Sequence, residues 1–328
     1  MIGRRALLTG AAATTVAGGA LAATGAQSKV FTAVDVHPTD YPTVQAVRWI
    51  SEQLERETDG RLSIRIYPGG QLGAETDTVA LTRFHVLDIC RVTSAALNNA
   101  FPLTQALTLP FLYRDEAHLQ ATTDGPIGRE ILSSFERRGL IGLCFYDGGM
   151  RSMYNVHRPV HVPTDMRGLK VRVPRSDVFI EALASMDANP TPIPLGDVFT
   201  GLQTHLLDGA ENNWATFQSA HHYEVAHYWS ETRHAASPEA LLLSRATFNA
   251  LSSSDRDLLL ATAHASVPVM RALWTTKQAT ARQTALDGGA IANDVDRAAF
   301  EAHVAPMRRR YEQHAQIGGL IRRIQAQT

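Results

Sequence analysis

The sequence predicts an α/β protein on three observations. From Phe31 to the C-terminus, segments with the two-residue alternation of half-buried strands are separated by segments with helical spacing. At 328 residues the chain is long enough for two domains of ordinary size. It is 45% apolar and 19% charged, the composition of a soluble globular protein. A formal net charge of −1 gives no basic footprint for nucleic acid and no attraction to an anionic membrane, so anion recognition would have to be local.

The N-terminal segment stands apart. Met1-Ile2-Gly3-Arg4-Arg5-Ala6-Leu7-Leu8 opens with paired arginines, and an Ala-, Thr- and Gly-rich apolar run continues to about Ala26. A charged head, a modest apolar core and a small-residue end make residues 1–26 an export signal of the twin-arginine kind, with an ordinary secretory signal as the alternative. Small residues fit cleavage after Ala22 or Ala26. No later segment has the apolar length to span a bilayer. The expected product is exported, soluble and periplasmic.

The elements then follow in order. Pro42 lies near the start of a helix whose apolar face is Val44, Val47, Ile50 and Leu54, and Gly60 stops it. Leu62–Ile66 alternates as a strand and turns at Pro68-Gly69-Gly70. A helix around Thr76–Leu87 leads to a strand at Ile89–Thr93, with further strands at Leu140–Tyr146, Leu169–Val173 and Ala240–Ser244. A long helix begins after the cap-like Ser252-Ser253-Ser254-Asp255 and continues through Trp274 to about Leu286, where Gly288-Gly289 breaks it. A last helix spans about Asp296–His314, and its Arg308-Arg309-Arg310 run reads as a solvated face. Cys90 and Cys144 sit inside apolar runs. Two buried free thiols are expected, since a disulfide requires those strands to bring the sulfurs together.

Two stretches carry the chemistry. In Leu169-Lys170-Val171-Arg172-Val173-Pro174, alternation turns Leu169, Val171 and Val173 to one face and Arg172 to the other, and Pro174 ends the strand. Asp208-Gly209-Ala210-Glu211-Asn212-Asn213-Trp214 gathers acids, two amides and an indole. An arginine fork with amides recognises a carboxylate, and extra acceptors recognise hydroxyls. Neither stretch contains an evident nucleophile. The competing structural reading is a salt bridge and a polar turn.

These stretches, in collinear order with several short motifs, resemble the extracytoplasmic solute-binding proteins of TRAP transporters, the dicarboxylate-binding (DctP-like) family. The matching motifs include Tyr67-Pro68-Gly69-Gly70-Gln71-Leu72-Gly73, Leu109-Pro110-Phe111-Leu112, Gly149-Met150-Arg151-Ser152-Met153-Tyr154-Asn155, Asn189-Pro190-Thr191-Pro192, Leu202-Gln203-Thr204 and His222-Tyr223-Glu224-Val225-Ala226. The resemblance implies a two-lobed, Venus-flytrap fold with hinge strands and a long connecting helix. Lobe one would hold 31–149 and 238–277, and lobe two 150–237 and 278–328. It implies Arg172 as the principal partner of a ligand carboxylate, Arg151 as its assistant and Asn212 as a further contact. It also implies a monomer that needs no cofactor, takes a small organic acid and delivers it to the small and large membrane subunits. Asp197, Phe199 and His205 depart from the common Glu, Tyr and Gly, and His205 lacks glycine's ease at a left-handed helix end, so the local turn is expected to differ.

The ligand class turns on Glu211. Facing the cleft, it would repel a second carboxylate and accept from sugar hydroxyls; facing inward, it would serve the fold. Asn213 adds another amide, Trp214 or Tyr41 would cover an apolar sugar face, and His37, Glu75 and Arg91 would contribute from lobe one. The pattern is similar to the branch that binds hexuronates such as glucuronate or galacturonate, with a C4-dicarboxylate as the alternative. His221, His222, His227 and His234 cluster, but His222 and His227 are five apart and no HExxH pattern is present, so no metal site is expected. The rival functions are an exported hydrolase, for which no GxSxG elbow or paired-acid signature is present, and a binding protein that feeds a sensor.

Overall fold

The computed structural model describes residues 28–327, so the export signal read at residues 1–26 lies outside the described residues. Four strands lead the chain: β1 (Lys29–Val34), β2 (Leu62–Tyr67), β3 (Ile89–Thr93) and β4 (Leu140–Tyr146). Five follow: β5 (Met150–Asn155), β6 (Lys170–Val173), β7 (Asn189–Pro192), β8 (Gly209–Asn212) and β9 (Tyr228–Ala236). The last two are β10 (Glu239–Ser244) and β11 (Ile291–Asn293). They form two sheets, ordered β2-β1-β3-β10-β4 and β11-β9-β5-β8-β6-β7, each covered by helices. The result is a two-lobed α/β fold.

Four segments join the lobes among the described residues, the last being the stretch 314–317 that leads to the final helix. The chain crosses between β4 and β5 through Asp147-Gly148-Gly149, and returns between β9 and β10 through Ser237-Pro238. The third is the helix Ser253–Asp287, whose 35 residues span about 50 Å. Ser252 caps it, accepting from the Asp255 N–H at 3.1 Å. Its Leu259, Ala263, Met270 and Trp274 join the core of the first lobe, whereas Ala285 joins that of the second. The helix Pro42–Glu57 packs beside it and buries the predicted face of Val44, Val47, Ile50 and Leu54.

Several elements were not evident from the sequence. The strand β7 contains Pro190 and Pro192 and is tolerated because it lies at the sheet edge. A final helix, Gly318–Gln325, returns to the first lobe. It buries Leu320, Ile321 and Ile324 against Pro102–Leu107 and Pro126–Ser134, and the Ile324 carbonyl meets His118 Nε2 at 2.8 Å. His205 adopts φ 59°, so the turn keeps the left-handed conformation despite lacking glycine. Cys90 and Cys144 are free and buried, on opposite faces of the first sheet with β10 between them. That separation excludes a disulfide.

The two crossing segments touch through backbone. A Cβ on Gly148 would lie 2.1 Å from the Ser237 carbonyl oxygen. Gly149, at φ 63°, would place one 2.8 Å from both Trp274 and Gln278. Gly148→Ala is therefore expected to cost about 2 kcal/mol or more in urea-induced unfolding, as the crossing segments are forced apart. An unchanged unfolding midpoint would mean that they separate freely.

Candidate functional site

The ends of the central strands converge where the lobes meet. From the first lobe come Asp35 and His37 after β1, Arg91 in β3, Glu75 at a helix start and Glu239 at the start of β10. The second lobe contributes Arg151 from β5, Arg172 from β6 and Glu211 and Asn212 from β8. The β5–β9 register slips between Arg151 and Met153, placing an irregularity beside the site.

The three arginines are almost fully buried and differ in their partners. Arg91 is saturated with acid: Nη1 donates to Glu75 at 2.9 Å and to Glu239, and Nη2 donates to Asp35 and, at 3.0 Å, to His37 Nδ1. Arg151 grips Glu211 bidentately, with Nε to Oε2 at 2.6 Å and Nη2 to Oε1 at 2.8 Å, and its Nη1 donates to Asn212 Oδ1 at 3.0 Å. Arg172 donates only Nε, to the Ile193 carbonyl at 2.9 Å. Among the described residues, no carboxylate pairs with it. Burial and then the like charge of Arg151 lower its pKa, against the pull of Glu211, but an arginine so perturbed still carries its charge.

The remaining groups have assigned polarities. Asn212 Oδ1 accepts from Arg151 and from the Asn213 N–H at 2.9 Å, which turns the amide nitrogen outward as a donor. Arg91 can only donate, so His37 Nδ1 accepts and Nε2 carries the proton; that Nε2 is buried without a partner. Burial and then Arg91 push the His37 pKa down to about 3, so the ring is neutral. Burial opposes ionisation of Asp35, but Arg91, with a hydrogen bond from the Thr43 hydroxyl, outweighs it and holds the carboxyl below the usual range. Glu239 goes the other way, pushed up to about 7 by burial and by Glu75 and Asp35, against the pull of Arg91.

His37, Glu75, Arg91, Arg151, Arg172 and Asn212, six of the candidates read from the sequence, line one small cavity. Its volume is about 20 Å³, and Glu75, Arg172, Pro174 and Leu195 also border a cavity of about 300 Å³ at its mouth. Four other candidates do not line it. Glu211, expected to accept from hydroxyls if it faced the cleft, is fully buried, with both oxygens on Arg151 and His234 Nε2 3.5 Å away. Burial pushes its pKa up, but Arg151 and His234 outweigh this and leave it lowered and ionised. Asn213 caps the helix Trp214–Ser219, accepting from the Thr216 N–H at 2.7 Å, and donates to the Gly148 carbonyl at 2.8 Å. Tyr41 is buried behind His37 with its hydroxyl on Thr216 at 3.0 Å, and Trp214 borders a different cavity.

Glu239, Thr93 and Thr216 also line the cavity, and sequence reasoning missed them. The one signal for Glu239 is an acid heading an otherwise apolar strand, Ala240–Leu243. The four histidines disperse to separate partners: His222 Nδ1 meets Tyr154 at 2.7 Å, His221 pairs with Glu224 at 2.7 Å, His234 Nδ1 meets Thr232 at 2.8 Å, and the His227 carbonyl accepts from β11.

The family model of the bacterial extracellular solute-binding proteins, family 7 (DctP), matches residues 33–314. The chain belongs to that family. A solute-binding protein of Chromohalobacter salexigens is 33% identical over 304 residues, 92% of this chain and 90% of its own. Two solved TRAP periplasmic solute-binding proteins overlay closely. One, from Xanthobacter autotrophicus Py2 with bound β-D-galacturonate, is 40% identical, covers 91% of this chain and 100% of its own, and has a TM-score of 0.88. The other, from Citrobacter koseri with bound D-glucuronate, is 33% identical, covers 92% and 100%, and has a TM-score of 0.88. Family 7 proteins bind solutes outside the cytoplasm and are not enzymes. Among the described residues of this one, no helix is long and apolar enough to cross a membrane.

The Glu239 environment gives a pH signature. Its folded pKa of about 7 stands above the ordinary 4.5, so the fold favours the neutral form. That contribution is complete below the unfolded pKa and is lost as pH rises through the folded one. Glu239→Gln, permanently neutral, should gain in Tm relative to wild type between about pH 5 and about pH 8. A Tm difference independent of pH would place the titration elsewhere.

Proposed function

We propose that this protein captures a hexuronate, D-galacturonate or D-glucuronate, in the periplasm and delivers it to the small and large membrane subunits of a TRAP transporter. The observation that carries the reading is the division of polarity across the cavity. The second-lobe wall presents donors: the Arg172 Nη groups and the Asn212 amide nitrogen, neither bonded among the described residues, with Arg151 beside them. The first-lobe wall presents the carboxylates of Glu75 and Glu239, already bound to Arg91 through one oxygen each. A carboxylate needs the donors, and hydroxyls need the acceptors. A second ligand carboxylate would meet Glu75 and Glu239 instead of a cation, which disfavours a short dicarboxylate. The hexuronates held by the two solved relatives support this choice.

In this account the carboxylate docks on Arg172 of the open protein, the hydroxyls reach across to Glu75 and Glu239, and the lobes close. A cavity of about 20 Å³ holds little more than a water, so entry requires the lobes to part. The moving bodies are 31–149 with 238–277, and 150–237 with 278–328, except that the C-terminal helix Gly318–Gln325 packs on the first body and moves with it. Residues 1–26 would direct export and be removed. Closure around a fully bonded ligand supports a Kd below about 10 μM, roughly −7 kcal/mol.

A thermal-shift screen of organic acids followed by calorimetry tests the reading. Galacturonate or glucuronate should raise Tm and bind more tightly than succinate or malate. A dicarboxylate that outcompetes both uronates overturns the sugar-acid assignment, and no stabilisation by any carboxylate overturns the whole. Arg172→Lys keeps the charge but loses the fork, so affinity should fall about 10- to 100-fold. Unchanged affinity removes Arg172 from the central role.

A further inference from the structure

A second cavity lies behind the hinge. It has a volume of about 520 Å³ and is bordered by Met150 and Ser152 of β5, Arg233 of β9, Trp214, the long-helix residues Ala279 and Arg282, and Glu116 of the first lobe. Alternate residues of one hinge strand therefore face opposite sites: Arg151 the ligand cavity, Met150 and Ser152 the rear one. The hinge lies between the two, and both lobes border each, the rear one through Glu116 alone on the side of the first lobe. The front cavity measures about 20 Å³, with the cavity of about 300 Å³ at its mouth, and the rear one about 520 Å³.

We propose that the rear cavity is the counter-lever of the ligand cleft: it narrows as the cleft opens, so whatever fills it holds the protein in the closed, solute-retaining form. A rotation about a hinge that parts the walls on one side must bring together those on the other. Glu116 and Arg233 supply the opposing bias. They border the same cavity from different lobes and neither forms a salt bridge among the described residues; burial and then Asp147 raise the Glu116 pKa, and Arg233 opposes them. Opening draws them together and strengthens their attraction. The cavity thus sets the open–closed balance from a side the solute never touches, and a ligand whose competent state is scarce loses affinity in proportion. This rests on the closing-cleft reading above.

Three variants test it in the full-length exported protein. Ala279→Trp fills the cavity, and Glu116→Arg replaces the attraction with repulsion; both disfavour the open form. Small-angle scattering of each ligand-free variant should give a smaller radius of gyration than wild type. Calorimetry with D-galacturonate should show affinity about three- to tenfold tighter. The swap Glu116→Arg with Arg233→Glu should return both values to those of wild type. An unchanged or larger radius in both Ala279→Trp and Glu116→Arg overturns the proposal, as does a swap no closer to wild type than Glu116→Arg alone. The scattering requires no ligand, so a protein that ignores galacturonate would refute the proposed solute while leaving the counter-lever decided on its own evidence.

Discussion

A buried guanidinium with no carboxylate partner among the described residues is the constraint on which the site depends. Removing a charge from water carries a large penalty unless it is paired and its hydrogen-bonding capacity is met. Arg91 and Arg151 meet that condition internally, through Asp35, Glu75 and Glu239 in one case and Glu211 in the other. Arg172 meets it only in part, through the Ile193 carbonyl. Its terminal nitrogens are held ready for an anion, and the neighbouring acids are prevented from supplying one because other arginines already hold them. The carboxylates are thus as important for what they cannot reach as for what they bind.

The fold makes that separation possible. Strand ends from two sheets deliver the groups, so the cations of the second lobe and the acids of the first meet only across the cleft. Glu211 and Asn213 act one step behind the surface. Glu211 locks Arg151, Arg151 orients the Asn212 amide, and Asn213 ties the start of its helix to the Gly148 carbonyl in the hinge. A chain of charge-assisted and backbone bonds therefore links the recognition groups to the segment that must bend. Gly148 and Ser237 approach so closely that no side chain fits between the two crossing segments.

Much of this was legible in the sequence where local pattern decides the outcome. Ile89–Thr93 and Leu140–Tyr146 declare themselves as strands because apolar runs of that length have few alternatives. Arg172 was legible because alternation separates it from Val171 and Val173. The strand β5, Met-Arg-Ser-Met-Tyr-Asn, and the proline-bearing β7 carry no such pattern, since tertiary pairing rather than propensity makes them strands. Glu211 was the informative miss. Its direction depends on Arg151, 60 residues away, and no local feature reveals that the arginine claims both oxygens. Glu239 lines the cavity where Glu211 does not, held there by a contact with Arg91 across 148 residues. Which acid pairs internally and which remains for a hydroxyl is a property of the assembled strand ends.

The account reduces to the claim that Arg172 is completed by a carboxylate of the solute. Calorimetric titration with D-galacturonate and with D-galactose tests it most directly, because the two share a ring and most hydroxyls and differ in the charged group. Galacturonate should bind at least about a hundredfold more tightly, since galactose leaves the guanidinium buried and unpaired. Equal affinity for the two sugars would contradict the account, because the acid would then contribute nothing at the site built to receive it.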